Sequence, residues 1–379
     1  MASYPKRVYP ALTSTIEVDP AGDLRLLVQH GEQQIIFQVS SKAMSLASPV
    51  WRTMLEPAGP FKESQSDSGE IAFPDDDSEA LLILLLACHL RFQDIPQELW
   101  YEQFLNVCIL CDKYDCIALI RPWISRWQAH QLHLAGPVIH GEWLFICWTT
   151  GDQATFERVA RYYVKTSLAD VWKQFIDRPK LLDAAIPPGI LGLPWSLPLP
   201  GNSTNKLAES IFEARLQTLT KLIELSYSLA NRRGPNKQSL HCVSNDADSS
   251  EACDDLSVGS MTRQLEAIES PVALWPGVPG DIASRYNQTV ETLSRHLQNM
   301  VCNIYPRGHH KHCGFVAALD DGVKKILADI PSGMDDSHRR HMATQRSKLS
   351  QSHSLLGQLG RPRQPPPLKE KRWPSLGTL

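Results

Sequence analysis

Apolar positions gather first into two β-rich runs, "DLRLLV" (Asp23 to Val28) and "QIIFQV" (Gln34 to Val39), separated by His30, Gly31 and Glu32, which reads as a hairpin. Before them, Ile16 and Val18 alternate in "STIEV" as in a short edge strand, within an extension over residues 1–21 that also holds Pro5, Pro10 and Pro20. Ser40 and Ser41 then offer hydroxyls for a helix N-cap, with Met44 and Leu46 expected to face inward. Pro49 ends that helix, and Val50, Met54 and Leu55 predict a second short helical face. "EPAGPFKESQSDSGE" is rich in breakers and reads as loop, after which "EIAFP" resumes as a strand. In "PDDDSEALLILLLACHL", Asp76 stands three residues before Glu79, close to a capping box, and the helix that follows is apolar on every side, so it needs cover on both faces. Trp100, Phe104, Val107, Cys108 and Cys111 recur at i, i+4, i+7, i+8 and i+11, the stripe of an amphipathic helix, and Pro122 suits the first residue of the next.

Helical spacing continues beyond that point. Trp143, Leu144, Cys147 and Trp148 mark one helix, and Phe156, Val159, Ala160, Tyr163 and Val164 mark another. "AIPPGILGLPWSLPLPGNS" is too rich in proline to be regular. Ile211, Phe212, Leu216, Leu219 and Ile223 predict a long helix ending near "NRRGP", whereas the polar, acidic stretch from 235 to 260 has little to bury and is expected to be disordered. Tyr286, Val290, Leu293, Leu297 and Met300 follow a 4-3-4-3 spacing that predicts one seam of a helix pair, antiparallel to the long helix. Phe315, Val316, Leu319, Val323, Ile326 and Leu327 predict a last amphipathic helix.

The order of elements through about residue 129, strand pair, two short helices, strand, buried helix and helical hairpin, resembles that of a BTB/POZ domain. The likeness is carried by residues. In "FQVSSKAMSLASPVW", Phe37, Val39, Met44, Ser48, Pro49 and Trp51 fall on the family's pattern without a gap, with Ser40 where many members carry histidine and Trp51 in place of phenylalanine. Asp23 resembles the family's strand-opening aspartate, and "LCDKYDC", with Asp112, Lys113 and Tyr114, is similar to the variant in fungal BTB proteins. The family's Tyr-Thr-Gly after the central helix is replaced by "HLRFQDIP", so the resemblance alone assigns no partner contacts to that region. The resemblance implies a fold of the α+β class, a small sheet with a cluster of helices, followed by a mainly α-helical C-terminal region. It also implies a non-enzymatic protein that binds proteins, by homodimerisation through the BTB domain or by docking a cullin as a ubiquitin ligase adaptor. The competing classes are a nucleic-acid-linked regulator and a purely structural oligomer.

The expected organisation is an extension (1–21), the BTB/POZ domain (22–129), a helical extension (137–184), a Pro-rich linker (185–204), a long helix (205–233), a disordered linker (234–262), a helical unit packing on the long helix (263–330) and a disordered basic tail (331–379). A chain of 379 residues has room for more than one core, since a single core seldom serves beyond about 250. Its formal net charge of -3 does not favour a nucleic-acid or anionic-membrane surface. The nine cysteines are odd in number and lie in apolar segments with no secretory signal ahead of them, so they read as reduced thiols of an intracellular protein of cytoplasm or nucleus. "ALLILLLACHL" has about half the ~20 residues that a spanning helix needs, so no membrane partner is expected.

Candidate chemistry adds little. "HHKHC" (His309 to Cys313) with Cys302 upstream has zinc-binding residue types in a spacing that matches no finger template, and reads first as an ordinary loop. Cys108 and Cys111 with His130 and His133 also miss the finger spacing, and the two cysteines share a core stripe. No nucleophile elbow, His-Glu-x-x-His, phosphate loop or dinucleotide fingerprint occurs. No catalytic, cofactor or metal site and no small-molecule substrate are therefore expected. Arg361, Arg363, Lys369, Lys371 and Arg372 among prolines read as a solvated terminus, with an import signal or an SH3-type ligand as the sharper alternatives.

Overall fold

Leu24, Leu26 and Val28 bury one face of strand β2 (Leu24–His30), and Ile35, Phe37 and Val39 bury the same face of β3 (Gln33–Val39), because successive side chains of a strand point to opposite sides. Leu26 stands opposite Phe37 in this antiparallel pair. A four-stranded sheet in the order β1-β3-β2-β4 is completed by β1 (Thr15–Glu17), parallel to β3 at one edge, and β4 (Glu70–Phe73), parallel to β2 at the other. The computed structural model describes residues 15–56, 69–134, 143–168, 206–230, 242, 247–268, 274–303, 310 and 313–350, without side chains at 131–134, 206–209 and 247–250. The Pro-rich 185–204 segment, most of the expected breaker loop and the arginines and lysines beyond residue 360 lie outside the described residues.

Between β3 and β4 run α1 (Ser41–Ala47) and α2 (Pro49–Met54), and after β4 comes α3 (Ser78–Cys88). Leu81, Ile83, Leu84, Leu85 and Leu86 of α3 are all buried, as its uniform apolarity requires. At about 1.5–3 kcal/mol for each large apolar side chain removed from water, this helix anchors the first core. Two details differ from the sequence reading. Leu46 points outward at 73% exposure, because a seven-residue helix has room for one inward face, which Met44 takes. The N-cap of α3 is Asp77, which accepts from the Ala80 amide at 2.9 Å, while Asp76 turns to other partners.

The helices α4 (Tyr101–Lys113), α5 (Arg121–Leu134), α6 (Trp143–Thr150) and α7 (Gln153–Thr166) follow. The first core does not close at residue 129. It runs on through Trp143, Phe145, Ile146, Phe156 and Val159 to Ile211, Ala214, Ile330, Met334 and Met342. Helix α6 explains this continuity: it is apolar on all sides, so α4 covers one face and later segments must cover the rest.

A second core is organised by α8 (Lys206–Ala230), through Leu219, Leu222, Ile223 and Leu229. Against it lie α9 (Ala247–Glu266), α10 (Pro279–Arg285), α11 (Val290–Gln298) and α12 (Val316–Ala328). The 4-3-4-3 stripe is buried but belongs to two helices, since Tyr286 ends α10 and Thr289 caps α11 by accepting from the Thr292 amide at 2.9 Å. Gly322 of α12 lets that helix approach α8, where a Cβ would lie 2.6 Å from Leu225 Cδ2. Buried Arg215 of α8 donates to the carbonyls of Tyr286 (2.9 Å) and Gln288 (2.6 Å), fixing the α10–α11 link.

Two segments expected to be disordered contain helices. Within 234–262, α9 forms because Cys253, Ser257, Ser260, Met261 and Leu265 make one buried face of mostly small side chains. Within 331–379, α13 (Asp336–Ser350) forms because His338, Met342 and Gln345 share a narrow buried face against α6.

Candidate functional site

The residues that carry the family resemblance form the skeleton of the N-terminal module. Phe37, Val39, Met44 and Trp51 are fully buried. Asp23 accepts from the Ser41 amide at 2.7 Å and from its hydroxyl at 2.6 Å, tying the start of β2 to α1, and these bonds hold its carboxyl below the ordinary range against a partial desolvation. Ser40 caps α1 through the Ala43 amide, while its own N–H donates to His89 Nε2 at 2.8 Å. Ser48 accepts from the Trp51 amide at 3.0 Å and donates to the Tyr114 carbonyl at 2.5 Å, with Pro49 opening α2 beside it. Trp51 packs on the Tyr114 ring, centroids 5.0 Å apart.

The "DKY" residues close the other end. Lys113 Nζ donates to Asp76 Oδ1 at 2.5 Å and Tyr114 donates its hydroxyl to Asp76 Oδ2, so one buried carboxylate links the start of α3 to the end of α4. Burial, then the neighbouring Asp76 charge, pushes the Tyr114 phenol well up. Asp112 is raised by burial and by Asp115, against the pull of Lys348. The sequence does not single out Asp76, since three consecutive aspartates ahead of a helix look interchangeable.

Surface features come from residues outside the signature. Leu46 is 73% exposed on α1, and Leu90, just past α3, is 72% exposed. Leu90 takes φ 62°. It occupies the left-handed position that ends a Schellman motif, its N–H bonding the Ala87 carbonyl at 3.2 Å while the Arg91 N–H bonds that of Leu86 at 2.9 Å. Glycine is the usual residue there. Phe92 follows, half exposed and packed on Trp123.

A cleft of about 580 Å³ lies between α7, α8 and the α12–α13 connection. Its charged lining is largely self-satisfied: Arg161 pairs with Glu157 at 3.1 Å and bonds the Ile330 carbonyl, and Arg339 reaches Glu157 at 3.6 Å. A hydrogen bond from Gln153, more than these arginines, keeps the Glu157 carboxyl low.

The second core gathers a set of sulfur and imidazole groups. Cys242, before α9, Cys253 of α9, and His310 and Cys313 between α11 and α12 place one donor atom each so that all four lie within 4.8 Å of one another. Cys242 Sγ is 3.2 Å from His310 Nδ1 and 3.8 Å from Cys313 Sγ, which is itself 3.8 Å from His310 Nδ1. The Cys313 N–H donates to the His310 carbonyl at 3.0 Å, a turn that brings these two side chains together. Burial, and then Cys242, push the Cys253 thiol up. Cys302 lies apart from this set, directed at Ser257 Oγ at 3.6 Å, and His309 and His312 fall outside the described residues. Nothing in the sequence ties Cys242 and Cys253 to the "HHKHC" run, which lies more than fifty residues further on.

Cys108 and Cys111 are buried in the first core, and His130 bonds the Leu99 carbonyl at 3.2 Å; the His133 side chain is outside the described residues. Among the described residues no helix is long and apolar enough to cross a membrane. Comparison with protein-family models, with curated proteins and with solved structures finds no match.

Proposed function

We propose that the chain is a non-enzymatic protein-interaction protein whose N-terminal module, resembling BTB/POZ domains, grips other proteins with its outer surface. By this reading it works inside the cell, by self-association or by docking a cullin scaffold, with the following helices recruiting a further protein. The observation that supports it best is Leu90. A branched apolar side chain is kept in a backbone conformation that favours glycine, at a cost of about 1–2 kcal/mol, and is turned toward solvent. Strain of this kind marks a position whose side chain is used. Leu46 adds a second outward leucine, and the buried signature residues give both a rigid footing.

The test separates stability from binding. Leu90→Gly should leave the fold as stable or about 1 kcal/mol more so, while weakening self-association or binding to purified cullin at least about tenfold, roughly the 1.4 kcal/mol that one exposed leucine supplies. Light scattering and titration of the full-length chain provide the readouts. A chain that stays monomeric and binds no cullin, or a Leu90→Gly variant that associates unchanged, would overturn the reading.

A further inference from the structure

We propose that Cys242, Cys253, His310 and Cys313 form a closed, four-coordinate site for a structural zinc ion. The donor set is three sulfurs and one imidazole nitrogen, the kind of set that zinc takes in structural centres, where all four positions belong to the protein and none is left for water or substrate. The separations among Cys242, His310 and Cys313 lie close to what the ion needs, and the Cys253 sulfur is within 4.8 Å of each of those donors. A tetrahedron with Zn–S bonds of about 2.3 Å and a Zn–N bond of about 2.0 Å has edges of about 3.5–3.8 Å. The measured separations are 3.8 Å for Cys242 Sγ to Cys313 Sγ, 3.8 Å for Cys313 Sγ to His310 Nδ1 and 3.2 Å for Cys242 Sγ to His310 Nδ1. A disulfide would need its sulfurs about 2.05 Å apart, and Cys242, Cys253 and Cys313 are not joined by one here.

The surroundings show what such an ion would do. Helix α9 is acidic and serine-rich, and its buried face is largely small side chains, so apolar burial alone gives it little hold. Its other attachments are polar and lead toward the cluster. Ser260 donates to the Val301 carbonyl at 3.0 Å, Gln264 exchanges bonds with both backbone groups of Val301, and the Asn303 amide reaches Ser260 Oγ at 3.2 Å. Cys253 comes from the helix itself, Cys242 from the chain entering it, and His310 and Cys313 from the turn that follows residues 301–303. One cation bound to all four would fasten α9 and the chain entering it to a turn distant in sequence, and would take up the thiolate charge that crowds there on deprotonation. This inference stands apart from the interaction reading, because no ligand belongs to the N-terminal module.

Metal analysis of the full-length chain, purified without an affinity tag and under reducing conditions, should find one zinc per chain, released in equal amount when the thiols are titrated with a mercurial. Cobalt(II) in its place should give the ligand-field spectrum of a tetrahedral thiolate centre. Cys253→Ser and Cys313→Ser should lose the metal, Cys302→Ser should keep it, and His310→Cys should retain zinc as a four-sulfur site, a rescue that a packing role for the histidine would not predict. If the serine variants fail to fold, the stoichiometry and cobalt spectrum of the unmodified chain decide. A folded chain holding no zinc, a disulfide between Cys242 and Cys313, or zinc that survives loss of two of these ligands would overturn the assignment.

Discussion

The ring of Trp148 lies flat against that of His341, with centroids 3.9 Å apart and planes 13° from parallel. Trp148 belongs to α6 and His341 to α13, so this stack holds the helix nearest the end of the described chain against the first core. His338 meets the same indole edge-on, and Lys348 of α13 pairs with Asp115.

The stack makes stability depend on pH. Burial, helped by the Lys348 charge, lowers the His341 imidazole to about 4 from an ordinary 6.5, although its bond to the Trp148 backbone and the charge of Asp115 pull the other way. A lowered base binds its proton in the unfolded chain first, so the contribution is complete above about pH 6.5 and is lost as pH falls toward about 4. After discounting for partial exposure the loss is on the order of 2 kcal/mol. His341→Phe keeps the stack and removes the titration. Urea unfolding of both chains should show the unmodified chain losing stability relative to the variant as pH falls across that interval, and parallel curves would refute the assignment.

Asp76 is the buried partner of both Lys113 and Tyr114. Asp76→Ala strands an ammonium and a phenol, and should cost about 3–5 kcal/mol. Tyr114→Phe alone should cost about 1–2 kcal/mol, and the double variant should fall short of the sum because one hydrogen bond is counted twice. Denaturation midpoints of the three variants check this, and strict additivity would count against it.

Gly151 has φ 71°, and a Cβ there would lie 2.7 Å from the Met342 carbonyl oxygen and 2.9 Å from the Arg346 nitrogen. Its own carbonyl accepts from Arg346 at 2.9 Å. Gly151→Ala therefore combines backbone strain with a clash against backbone, and should destabilise by about 2–4 kcal/mol. The matching signature in amide exchange is loss of protection concentrated over 336–350.

Arg215→Met keeps the length of the side chain and removes the donors to the Tyr286 and Gln288 carbonyls. A loss of about 2–4 kcal/mol is expected, with faster amide exchange in α10 and α11. Exchange confined to α8 would point elsewhere.

Legibility followed the size of the buried side chains. Strands β2 and β3, the submerged α3 and the stripes of α4 and α7 were readable because leucine, valine and phenylalanine at fixed spacing leave few alternatives. Much of what the two unanticipated helices bury is serine, histidine and glutamine, which more often face solvent, so their periodicity carries little hydrophobic signal. Ser260 and Gln264 show their inward side only once the carbonyl of Val301 is known to face them. The outward turn of Leu46 is not legible because an apolar residue near the end of a short helix can face either way. For the sulfur cluster, the visible half was His310 and Cys313 in one turn. Its other half comes from residues that only folding brings near.

The reach of the first core from Val18 to Met342 governs how the molecule can be taken apart. Cutting after residue 129 would lay bare the surface of α4 that α6 covers, and ending the chain before residue 336 would strip α13 from Trp148. Fragments drawn at those borders would carry raw apolar faces, and any stickiness they showed would report the cut, not the biology.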